Sequence, residues 1–203
     1  TYIPWWSGVA QGTISCELKA LPSGLPVRAA SVGETAMTAL IGVADELAAS
    51  PLDLVEQIVS ANAWPFERSG DDEISVGVEG SWTRYHMWFA WRQEHEALQF
   101  SCAFDLKVAA DKVTQVYALL AIINEKMWLG HFDIWAQEGL LMFRHALLYR
   151  GGAPATAEQL EDLVEIALQE CERFYPAIQF VLWGGKGPTE AVAAAMLETE
   201  GEA

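Results

Sequence analysis

The sequence predicts an α+β fold, an antiparallel five-stranded sheet with helices on one face, in the order α-β-β-β-α-β-β-α. Three observations predict it. Five segments alternate apolar and polar side chains with the two-residue period of a half-buried strand. Three longer segments repeat apolar residues at helical spacing. The strands arrive in blocks of three and two instead of alternating with helices, which is the mark of α+β architecture.

The elements follow in chain order. Ser50-Pro51 sets a good N-cap before a proline at the first helical position, where the missing N–H costs nothing. Leu52, Val55, Ile58 and Val59 then repeat at helical spacing to about Ala63, and Trp64-Pro65 ends the helix. Residues 68–72 read as a turn. Three strands follow: Glu73–Glu79, Thr83–Trp91 after a turn at Gly80-Ser81, and Ala97–Phe104 after the polar loop 92–96. A second helix is expected over Ala110–Trp128, stopped by Leu129-Gly130. Strands His131–Gln137 and Leu140–Tyr149 flank Glu138-Gly139, a two-residue hairpin signal. Thr156-Ala-Glu-Gln159 reads as a capping box opening a long third helix. Pro176 is expected to interrupt or kink it. Gly184-Gly185 breaks the chain, and Pro188–Leu197 reads as a short Ala-rich helix before an acidic end.

Residues 1–50 differ in composition. They hold only six of the 40 charged side chains of the 203-residue chain, with Pro and Gly scattered among them. Glu34–Ala49 has the makings of a helix weakened by Gly42 and two threonines. The expected organisation is an N-terminal extension over 1–50, an α+β domain over 51–185, and a short C-terminal helix with an acidic tail over 186–203. The extension is either loosely packed or docked on the main domain through Trp5 and Trp6.

Composition narrows the function classes. A 52% apolar content with nine Trp supports a packed core. The net charge of −16 argues against nucleic acid or an anionic membrane as partner. No apolar run is long enough to span a bilayer, and the N-terminal residues do not have the pattern of a signal peptide. Cys16, Cys102 and Cys171 are widely spaced without a CxxC pair, which disfavours a disulfide framework or structural zinc and suits a reducing, cytoplasmic compartment.

A search for chemistry finds little. Nucleophile-elbow, zincin, Walker, dinucleotide and EF-hand patterns are absent. Gly184–Pro188 lacks the strand and spacing of a phosphate loop. With Glu138-Gly139 as a two-residue turn, Asp133 pairs with Arg144 and His131 with Ala146. His131 and His145 then lie on opposite faces and share no metal. Cys102 and Cys171 fall on apolar stripes and read as small hydrophobes. No catalytic residue, cofactor or metal is expected, and an enzyme ranks last among the readings.

Aromatic residues are in excess on and beside the strands. Trp88 and Trp135 fall on the more polar side of their strands, and helices covering one sheet face leave the other for water, a local cover or a partner. Candidate partner-binding residues are Trp88, Trp91 and Trp135, with Asp133 and Arg144 fixing the strand pair.

Ile123-Asn124-Glu125, Leu129–Phe132, Gly139, Phe143-Arg144-His145 with Leu147–Gly151, and Cys171–Pro176 resemble the YbjN-like family, whose members are labelled bacterial sensory transduction regulators. The resemblance covers about residues 51–190. It implies the fold of type III secretion chaperones, for which homodimers are common, and carries no catalytic residues. The expectation is a non-enzymatic regulator that binds other proteins as a homodimer. The alternative is a small-molecule sensor with an aromatic-lined pocket, in which Arg144 or His145 orients the ligand.

Overall fold

The computed structural model describes residues 50–151 and 155–200, with side chains to residue 196. The expectations for the first 49 residues, including the helix over Glu34–Ala49, lie outside the described residues.

Helix α1 spans Pro51–Ala61. Its start is held by a capping box: the Ser50 hydroxyl accepts from the Leu52 N–H at 3.3 Å, and the Ser50 N–H donates to Asp53 Oδ2 at 3.1 Å. Leu52, Val55, Ile58 and Val59 form its buried stripe.

The next element corrects the sequence reading. Phe66–Ser69 is a strand, β1, antiparallel to β2 (Glu73–Glu79), so the sheet has six strands and the turn is confined to residues 70–72. Four residues beside a proline carry too little alternation to announce a strand, and pairing with β2 supplies what the local pattern lacks. Arg68 ties this edge to α1 through Asp53 Oδ1 at 2.8 Å and Glu56 Oε2 at 2.7 Å.

Strands β3 (Arg84–Arg92) and β4 (Ala97–Lys107) complete the meander. β4 runs three residues beyond the expected end, past a register irregularity between Ala103 and Lys107. Helix α2 is shorter than expected, Val113–Asn124. Strands β5 (His131–Trp135) and β6 (Leu140–Leu148) follow, and the sheet order is β1-β2-β3-β4-β6-β5, antiparallel throughout. The chain thus crosses to the outer edge with β5 and returns to fill the slot beside β4.

Helix α3 runs unbroken over Ala157–Leu182 with Pro176 inside it. Its start is the expected capping box, Thr156 with Gln159. The proline lies within the stretch Phe174–Ile178, all of it buried, and that burial keeps the helix going where local propensity would stop it. Helix α4, Pro188–Glu200, lies against α3 and α2.

The helix-facing rows of the sheet carry the core. One row runs Val76, Met87, Cys102, Phe143, Phe132 across five strands, and its neighbour runs Val78, Tyr85, Phe104. Phe104 packs 6.0 Å from Phe132 and 5.8 Å from Tyr175, and Phe132 meets Phe174 edge-on at 6.0 Å, so α3 and the sheet share one aromatic layer.

Asn124, the last residue of α2, closes the outer edge of β5. Its amide donates to the Phe132 carbonyl at 3.0 Å and accepts from the Phe132 N–H at 2.8 Å, as a neighbouring strand would. Asn124→Ala strands both backbone groups at a residue only 2% exposed. The expected loss is roughly 2–3 kcal/mol, read from the urea midpoint at constant slope, and Asn124→Asp restores only the acceptor half.

Candidate functional site

The candidate surface is the sheet face opposite the described helices. Cross-strand register assigns its residues. One row is Ser75, Trp88, Ser101, Arg144, His131, and the next is Gly77, His86, Ala103, Met142, Asp133. Ser75, Ser101, Gly77 and Ala103 are small, and larger side chains stand among them. His86 stacks beside Trp88 at 6.1 Å. Ala103 and Met142 are buried, at 1% and 2% exposure.

The five sequence candidates divide. Trp88, Trp135, Asp133 and Arg144 share this face, whereas Trp91 lies on the other. It pairs with Leu98, stands 6.2 Å from Tyr149 and packs against the core. Trp88 and Trp135 do not meet. Three strand spacings and four residues along β6 separate their positions, roughly 20 Å in all. They bracket the face at opposite corners.

Asp133 and Arg144 are joined, but not as expected. The loop between β5 and β6 has four residues, 136–139, because the Glu138 and Gly139 N–H groups both turn back to the Trp135 carbonyl, at 3.1 and 2.8 Å. Gly139 takes the positive φ of +67° that this turn requires. Arg144 therefore opposes His131, and Asp133 opposes Met142. A slip of two residues preserves faces, so the ion pair survives on the diagonal, at 3.2 Å. Asp133 is also anchored by its own strand, Oδ1 accepting from the Ile134 N–H at 2.8 Å. Both side chains are about 40% exposed, which makes the pair an orienting contact more than a source of stability.

The other cations on this side are matched as well. Arg84 meets Glu79 at 3.4 Å, Arg92 meets Glu73 at 3.7 Å, and Lys107 meets Glu138 at 3.4 Å. The outer side of α3 is different, with Glu158, Glu161, Asp162 and Glu165 all exposed. Each Arg and Lys of the sheet face has a carboxylate partner, whereas the outer side of α3 is acidic.

His86, His131 and Met142 were missed as members of the surface. Alternation alone could have found His86, two residues from Trp88, and the other two share a face with Asp133 and Arg144. Among the described residues, no three His, Cys, Asp or Glu side chains converge to hold a metal.

His145 lies on the helix-facing side, opposite Phe100, as the parity argument expects. Burial holds its pKa below the ordinary histidine value, and His131 adds to the effect. Below about pH 6.5 the unfolded chain binds a proton that the folded chain resists. The contribution of His145 is therefore intact above that pH and declines as pH falls toward the folded value. His145→Gln is expected to flatten the fall in urea midpoint between about pH 7 and pH 5 relative to wild type. An unchanged pH profile would refute the assignment.

Comparisons with known proteins bear on what this surface serves. A crystal structure described as YbjN, "a putative transcription regulator from E. coli", matches 66% of this chain and 89% of its own, with 15% identity and a TM-score of 0.44. No curated protein matches. The family YbjN, described as "Putative bacterial sensory transduction regulator", matches residues 51–180, which takes in the whole sheet and nearly all of α3. This chain belongs to the YbjN family.

Proposed function

We propose that this chain is a non-enzymatic, cytoplasmic regulatory module that acts by binding other proteins through the sheet face opposite its described helices. It does so as a homodimer of the kind that type III secretion chaperones form. The observation that carries this reading is the division of charge. The protein bears a net charge of −16, its helix side is acidic, and its sheet face, which carries the half-buried Trp88 and Trp135, matches each Arg and Lys to a carboxylate. Like-charged helix sides repel one another, whereas a face whose cations are paired to carboxylates is less strongly repelled.

The roughly 20 Å between the two tryptophans favours a protein surface over a small molecule, whose binding site wraps most of the ligand within a compact pocket. Trp91 drops out of the proposed contact set because it faces the core, and His86 takes its place beside Trp88.

Two variants test the reading, Trp88→Ala and Trp135→Ala, with Trp183→Ala as a control at an exposed site outside the sheet. The full-length protein and each variant are compared by light scattering for mass and by affinity purification from the native host. The expected result is a shift toward monomer, or loss of specific partners, in the sheet-face variants alone. A monomeric wild type whose partner set is unchanged by both substitutions would overturn the proposal.

A further inference from the structure

Cys102 on β4 and Cys171 on α3 lie 69 residues apart in sequence but face one another across the sheet–helix interface, with their Sγ atoms 4.0 Å apart. Both are free thiols and fully buried. They read from sequence as small hydrophobes, and the fold adds something that a pair of alanines or valines would not have. A disulfide needs its sulfurs at about 2.0 Å, so the gap to close is about one bond length. Side-chain torsions and a slight approach of helix to strand supply movement on that scale.

We propose that Cys102 and Cys171 form a convertible dithiol, reduced in this structure and closed to a disulfide by an oxidant of the peroxide class. One sulfur, as thiolate, attacks a peroxide oxygen, which breaks the O–O bond, releases water after protonation and leaves a sulfenic acid. The second sulfur then attacks the sulfenic sulfur. The S–S bond forms, and hydroxide leaves and takes the second thiol's proton as water. Two electrons pass from the thiols to one peroxide, and two waters result. Burial pushes the Cys171 thiol up, and Cys102 and the nearby Glu172 and Glu170 carboxylates add to the effect, so its thiolate is disfavoured while the pair stays buried.

The location gives the cross-link a consequence. β4 is one of the two central strands, and α3 carries Phe174 and Tyr175 into the aromatic layer. A bond between them fastens the long helix to the middle of the sheet and closes a long loop in the unfolded chain. The product would be a stiffer domain whose helix layer no longer lifts from the strands.

The test uses the full chain carrying Cys16→Ser, which leaves only the pair. Protein freed of reductant is exposed to hydrogen peroxide in small molar excess at neutral pH, then denatured in an alkylating agent. The expected result is a fall from two alkylatable thiols to none, a mass lower by two hydrogens, and a proteolytic fragment linking the two cysteines. Dithiothreitol should reverse all three. The oxidised protein should show a higher urea midpoint, and adding Cys102→Ala should abolish that rise. Three results would overturn the proposal: both thiols surviving while a dithiol peptide in the same tube is fully oxidised, oxygen added without a cross-link, or links formed only between chains.

Discussion

Burial of helix α3 on the aromatic layer of the sheet is the interaction on which the rest of the domain depends. A proline in a helix interior costs about 3 kcal/mol, because it removes a backbone donor and crowds the preceding turn. Helix α3 nonetheless continues through Pro176 to Leu182. Phe174, Tyr175, Ile178, Val181 and Leu182 are all buried in that stretch. At roughly 1.5–3 kcal/mol for each large apolar side chain removed from water, their burial outweighs the proline severalfold. The same layer receives Phe104 of β4 and Phe132 of β5, so the helix that survives its proline also joins the centre of the sheet to its β5 edge.

This balance explains which features could be read from sequence. Both capping boxes, the strand alternation and the apolar stripes of α1 and α3 express local rules that the fold obeys. The failures share a different cause. Phe66–Ser69 shows no alternation and exists as a strand because β2 offers it an edge. Glu138-Gly139 looked like a two-residue turn, yet a glycine of positive φ serves a four-residue loop equally well, and only the pairing decides between them. Pro176 was judged by propensity, whereas tertiary burial governs. The candidate site behaved likewise. Parity placed Trp88, Trp135, Asp133 and Arg144 on one face, while Trp91, of opposite parity to Trp88, belongs to the core.

Charge divides the molecule along the same plane as packing. Acidic side chains line the outer side of α3, and each sheet cation named above has a carboxylate within 4 Å. Surface pairs of this kind add little stability, about 0–1 kcal/mol apiece. Their effect is on recognition: a face with its charges matched can be approached closely by another protein, and an unmatched acidic side discourages approach.

The edges of the sheet point the same way. An open edge strand invites a further strand, and soluble proteins usually shorten or cover such edges. Here β1 has four residues and is tied back to α1 by Arg68, and the outer edge of β5 is occupied at Phe132 by the Asn124 side chain. Asn124 lies one residue beyond Ile123, the last buried position of its helix, and nothing in its neighbours announces that it mimics a strand. With both outer strands managed in this way, growth of the sheet by edge pairing is disfavoured. On the proposed reading, contact with a partner then falls on the broad face between the edges, which carries the tryptophans and the matched cations.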